Sequence, residues 1–145
     1  MINNLQSLEK KISINFKDKN LLKKSLTHKS FDSLENNEKL EFLGDRVLGL
    51  IISITLLETF PNDREGNLDK KLAALVNRKK CCEISKKFNL ENFIQTGDSN
   101  FKKKKIEDKI ISDACEALIG AIFLDQGFEV AKKFIIKFWK NHLII

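Results

Sequence analysis

Asn37-Glu38-Lys39-Leu40-Glu41-Phe42-Leu43-Gly44-Asp45-Arg46-Val47-Leu48, running on through Gly49-Leu-Ile-Ile-Ser-Ile-Thr-Leu-Leu-Glu-Thr59, is the stretch whose reading decides the fold. Its apolar residues recur at intervals of three and four, the period of an α-helix, and Pro61 follows where the pattern ends. Glu38, Glu41 and Asp45 share that spacing, so all three fall within about 60° of arc on one helix. A charged stripe usually faces water. Here the same stripe continues as Leu48, Gly49, Ile52 and Leu56, while the other side carries Leu43, Val47, Leu50, Ile51 and Ile54. A helix that is apolar all round beyond Arg46 is expected to be buried, which leaves the three acids at the mouth of a core helix.

The pattern occurs a second time in Asp113-Ala-Cys-Glu116-Ala-Leu-Ile-Gly-Ala-Ile-Phe-Leu124, where Asp113 and Glu116 lead a stripe of Ala117, Gly120 and Leu124. Gly44, Gly49, Gly120, Ala114, Ala117 and Ala121 are small enough to let two buried helices approach closely, so the two segments are expected to pack against each other. Their acids then converge. Carboxylates crowded at the edge of a core cannot all stay ionised at neutral pH without a cation. The only histidines are His28 and His142, and neither lies near a cysteine or the other histidine. The oxygen-only donor set favours Mg²⁺, Mn²⁺ or Ca²⁺ over zinc. A di-iron carboxylate bundle would need Glu-x-x-His pairs, and the residues three before the histidines are Ser25 and Trp139. Mg²⁺ held by a few carboxylates commonly meets substrate phosphate, which directs attention to phosphodiester chemistry.

Outward from these helices, the chain reads as one all-α domain. Its 145 residues contain one proline and six glycines, and helices are predicted at Asn3–Lys11, Lys19–Thr27, Asn37–Thr59, Asn67–Lys79, Arg78–Phe88, Glu107–Leu124 and Phe128–Leu143. Asp18 is placed to cap the second, and Gly127 separates the last two. An apolar content of 42% excludes global disorder, and no apolar run is long enough for a membrane span. Cys81, Cys82 and Cys115 form no disulfide framework and read as reduced thiols serving as small core residues, which fits a cytoplasmic protein. Formal net charge is +6, with a Lys102, Lys103, Lys104, Lys105 run after the turn-like Thr96-Gly97-Asp98-Ser99-Asn100. That run is either a phosphate-contacting loop or simply a solvated one.

Asn37-Glu-Lys-Leu-Glu-Phe-Leu-Gly-Asp-Arg-Val-Leu closely resembles the signature helix of the ribonuclease III family. Asp113-Ala-Cys-Glu-Ala-Leu-Ile-Gly-Ala with Phe123-Leu-Asp-Gln-Gly behind it resembles that family's second acidic motif, and Leu26-Thr-His-Lys-Ser and Leu75-Val-Asn-Arg also match. The resemblance covers about Phe16 to Trp139 and implies the ribonuclease III endonuclease-domain fold, with the signature helix buried at its centre. It further implies a homodimeric, Mg²⁺-dependent endonuclease that cuts double-stranded RNA, leaving 5′-phosphate and 3′-hydroxyl ends with short 3′ overhangs, and that processes ribosomal and other RNAs. Mn²⁺ is expected to substitute, and Ca²⁺ to bind without supporting cleavage.

Residue by residue, the resemblance makes Glu41, Asp45, Asp113 and Glu116 the metal ligands, with Asp45 and Glu116 catalytic. Glu38 matches an accessory acid, Glu65 resembles a further acid near the substrate, and Phe42 matches an aromatic of the dimer interface, its alternative being an ordinary core phenylalanine. Two departures stand out. Bacterial members usually continue into a double-stranded-RNA-binding domain, and this chain, read as catalytic domain over residues 1–145, ends at Ile145. Lys109 stands where a small hydroxyl residue is common, in a stretch that carries lysines rather than glycines. The rival classes are a non-catalytic RNA-binding module, disfavoured because all four acids are present, and a basic DNA-binding module, disfavoured because acids rather than lysines hold the distinctive helix positions.

Overall fold

Among the described residues, seven α-helices follow one another in the order the sequence predicts: α1 (Ile2–Ile12), α2 (Lys19–Ser25), α3 (Glu38–Thr59), α4 (Glu65–Val76), α5 (Arg78–Ser85), α6 (Asp108–Gln126) and α7 (Phe128–Trp139). They come from a computed structural model that describes residues 2–97 and 105–143. Among the described residues the only β feature is an isolated bridge between Thr27 and Gln95. Single-turn 3₁₀ segments extend α5 at Lys86–Phe88 and α7 at Lys140–His142, and a third spans Leu90–Phe93.

Local chemistry sets several of the ends. The Asp18 carboxylate accepts from the N–H groups of Asn20 and Leu21, capping α2 as its position predicts. Asn77 has extended backbone at ψ 168°, so it stops α4, and its side chain accepts from Lys80 N at 2.8 Å to start α5. The sequence pattern alone ran these two helices together. It also started α4 at Asn67, whereas Arg64 is extended and the helix opens at Glu65. Gly127, at φ +92°, turns the chain between α6 and α7 in a region that favours glycine.

The centre is α3 against α6. Ile111, Ala114, Cys115, Ala117, Leu118, Ile119, Ala121 and Ile122 bury most of the α6 surface, and Leu40, Val47, Leu48, Ile51, Ile52 and Leu56 face the core from α3. The two backbones touch at glycines. A Cβ on Gly44 would lie 1.6 Å from the carbonyl oxygen of Glu116, and one on Gly120 would lie 2.3 Å from that of Leu40. Gly49 does not share this role, because a Cβ there would meet nothing within 4 Å.

Around this pair, the Trp139 indole N–H donates to Leu75 O at 2.8 Å and ties α7 to α4. The Asp125 carboxylate accepts from the N–H groups of Lys17 and Asp18 at 2.9 and 3.0 Å, fixing the end of α6 to the start of α2. One expectation needs correction. The signature helix is central but not buried all round: Phe42, Leu50 and Leu57 are 62%, 54% and 59% exposed, and they share one side of α3. The apolar pattern records that this side is greasy, not which neighbour covers it.

Candidate metal centre

The α3–α6 crossing that Gly44 and Gly120 allow brings Glu41 from one helix to Asp113 and Glu116 from the other. These three each place a carboxylate oxygen within 4.8 Å of the others. Asp45 lies one turn beyond Glu41, outside that triad, but near enough to Glu116 to act on its ionisation. Asp113 acts on Glu41 in the same way. The site thus sets acids of α3 against acids of α6.

Burial and crowding both disfavour the charged form of a carboxyl, and the two glutamates feel this most. Burial, and then the charge of Asp113, push Glu41 up to about 7. Burial, and then Asp45 beside it, push Glu116 up to about 9. A cation-free cluster therefore holds protons at neutral pH, where a bound cation would instead let the acids ionise. Stability should follow. Both acids have folded-state values above the ordinary 4.5, so the folded chain binds more protons than the unfolded one between those limits. In EDTA the melting temperature is expected to fall as pH rises from about 4.5 through about 7 and toward about 9. A melting temperature that climbs over that window would contradict the crowding.

The donor set fits a hard divalent cation: three convergent oxygens, with no imidazole or thiolate among them. His28 contacts Ser30 Oγ at 2.7 Å, and His142 lies between Lys80 and Lys87, so both histidines are engaged elsewhere. The three cysteines are buried and free. Hydrogen bonding to Cys115, and then burial, hold the Cys81 thiol well above its ordinary range, so it stays protonated.

The remaining sequence-predicted residues are distributed around this cluster. Glu38 is exposed, faces Lys29 at 3.6 Å, and reaches the triad only through its charge on Glu41. Glu65 opens α4 as an exposed residue outside the triad. Phe42 is a surface residue rather than a core one, with the Arg46 guanidinium 4.0 Å from its ring centroid. Lys105 is exposed, while Lys102, Lys103 and Lys104 lie outside the described residues. Sequence reasoning missed one participant: Lys109 places its ammonium 2.7 Å from Asp113 Oδ2. Its spacing of four residues from Asp113 was the available signal.

Comparison with known proteins agrees with this geometry. The sequence matches the Ribonuclease-III-like family over residues 18–143. Ribonuclease 3 of Pelagibacter ubique is 57% identical over 136 residues, covering 94% of this chain and 61% of the relative. Ribonuclease 3 of Campylobacter jejuni is 47% identical over 137 residues, covering 92% and 60%. The chain thus spans about three-fifths of the length of these curated relatives. Among solved structures, the nuclease domain of Campylobacter jejuni ribonuclease III, described for structural flexibility in a region involved in dimer formation, superposes with a TM-score of 0.90 at 45% identity. That match covers 97% of this chain and 99% of the other. The all-helical fold around paired acidic helices is that of a ribonuclease III nuclease domain, and the chain belongs to the ribonuclease III family. Among the described residues, no helix is long and apolar enough to cross a membrane.

Proposed function

We propose that the chain is the catalytic unit of a Mg²⁺-dependent endoribonuclease that hydrolyses double-stranded RNA to 5′-phosphate and 3′-hydroxyl ends with short 3′ overhangs. The observation that carries this reading is the oxygen triad of Glu41, Asp113 and Glu116 with Asp45 held against it. A divalent cation there would supply a Lewis acid for the attacking water and for the charge that develops on phosphate. The side chains do the rest. Glu41, Asp113 and Glu116, ionised, would hold that cation, Asp45 would orient the Glu116 carboxyl, and the α3–α6 crossing keeps the four acids in register.

Because an acid cluster repels phosphate, the duplex must be held by basic groups bordering it, and the net charge of +6 supplies them. Recognition then rests on A-form shape, 2′-hydroxyls and phosphates. A role in ribosomal and other RNA processing in the cytoplasm accords with this substrate class. The deciding experiment is incubation of a plain RNA duplex with and without millimolar Mg²⁺. Cleavage only with metal, ending in 5′-phosphates, supports the reading, and an intact duplex under both conditions rejects it.

The same reading makes the protein a homodimer. Phe42, Leu50 and Leu57 expose an apolar side of α3 next to Asp45, and a symmetric pairing of that side would cover it in both subunits. One site per subunit would then serve each strand of the duplex. Sedimentation is expected to give a dimer at micromolar concentration, and Phe42→Ala should weaken it by about tenfold or more in dissociation constant, the scale of a buried aromatic anchor. A monomer throughout would remove the dimer, and an undisturbed Phe42→Ala dimer would take Phe42 out of the interface.

A further inference from the structure

We propose that Lys109 is a built-in counter-cation of the acid cluster, one that divalent metal must displace from Asp113 in order to bind. The inference rests on the metal-centre reading above and assigns a residue that tunes it. Lys109 lies in the first turn of α6, four residues before Asp113, with its ammonium 2.7 Å from Asp113 Oδ2.

Helix physics does not account for a lysine there. A cation in the first turn opposes the helix dipole, which favours acids at that end. A Lys-to-Asp pair at this spacing also runs in the less favourable direction along a helix. Local helix stability therefore gains little from Lys109, whereas the carboxylates gain a positive charge.

The arrangement also leaves the lysine free to go. Its side chain is 59% exposed, while that of Asp113 is 20% exposed, so the ammonium caps the acid from the solvent side. The Lys109 ammonium makes one contact to one carboxylate oxygen of the cluster, whereas a divalent ion draws several oxygens into one coordination shell. The positive charge of Arg78 already opposes that of Lys109. A metal arriving at the triad would add a second repulsion, and the flexible stem would carry Lys109 into solvent. The cost of that exchange falls on metal affinity. A neutral residue at this position would leave the same acids with a tighter divalent site.

The test is calorimetric titration of Mn²⁺ into the RNA-free protein at pH 7.5. Lys109→Met, which keeps the stem without the charge, is expected to bind Mn²⁺ about fivefold more tightly than wild type, a modest gain because the pair is solvent-screened. Its Mn²⁺-induced rise in melting temperature should be larger to match. Lys109→Arg should stay within about twofold of wild type, as should Lys140→Met, which removes an equal charge outside the cluster. Wild-type binding that Glu116→Gln removes, combined with an unchanged or weaker Lys109→Met, would overturn this proposal alone. Absence of any such binding to wild type would overturn the metal site and the proposal together. Should the methionine variant fold poorly, Lys109→Gln answers the same question.

Discussion

Glu116→Gln will reduce metal-dependent cleavage of duplex RNA by about a thousandfold or more, the upper scale for removing one preorganised charge-stabilising group, while the protein folds as before. Glutamine has nearly the volume of glutamate. More to the point, it is the permanently neutral counterpart of the state Glu116 already occupies, since burial and Asp45 push its carboxyl up to about 9. The amide N–H can donate wherever a protonated carboxyl could. The cation-free fold therefore loses nothing, whereas the charged ligand needed for metal can no longer form. Two measurements separate these effects. Single-turnover cleavage in millimolar Mg²⁺ should collapse, and the melting temperature in EDTA should become less sensitive to pH above about 7, because the group that would be forced to ionise is gone. Near wild-type cleavage would sink the assignment, and a lost fold would make Glu116 a structural residue.

How much of this site the sequence carried depends on the kind of information each residue needs. Glu41, Asp113 and Glu116 were legible because helical spacing next to apolar stripes is a one-dimensional pattern, and it placed them on two helices that had to meet. Asp45 was read as a fourth equal ligand. Its place against Glu116, outside the triad, depends on the crossing of α3 over α6, which no spacing within α3 encodes. Lys109 was visible only as an unusual residue. Its meaning comes from the carboxylate it touches.

The fold divides in the same way. Asp18 and Gly127 acted through their own backbone and could be read locally. The boundary between α4 and α5 turned on Asn77, which ends one helix by leaving it and begins the next by capping it. Two amphipathic patterns that abut hide such a residue. Phe42, Leu50 and Leu57 show the limit most plainly. The apolar pattern beyond Arg46 puts Leu50 and Leu57 in the core, whereas only the family resemblance puts Phe42 at an interface, yet the chain leaves all three at its surface. Periodicity reports which side avoids water and is silent on the partner.

Gly44→Ala will cost about 3 kcal/mol or more of unfolding free energy, at the high end for an overpacked core, whereas Gly49→Ala, five residues along the same helix, will stabilise by about 0.5–1 kcal/mol. Both substitutions bring the same gain in helix propensity. What differs is the space. At Gly44 the new methyl would sit 1.6 Å from Glu116 O, 2.5 Å from Glu116 C and 2.9 Å from Gly120 N, all backbone atoms with no rotamer to turn aside. At Gly49 it would meet nothing within 4 Å. Urea denaturation of the two variants checks the contrast, and equal stabilities would mean that the helices do not cross this closely. The damage at Gly44 should also reach the chemistry. The atom obstructed is the carbonyl of Glu116 itself, so α6 can relieve the clash only by moving away from α3, which draws Asp113 and Glu116 off Glu41. Even at temperatures where Gly44→Ala remains folded, it is therefore expected to bind Mn²⁺ more weakly than wild type. A folded Gly44→Ala variant with wild-type Mn²⁺ affinity would show that the acids do not depend on this crossing for their register.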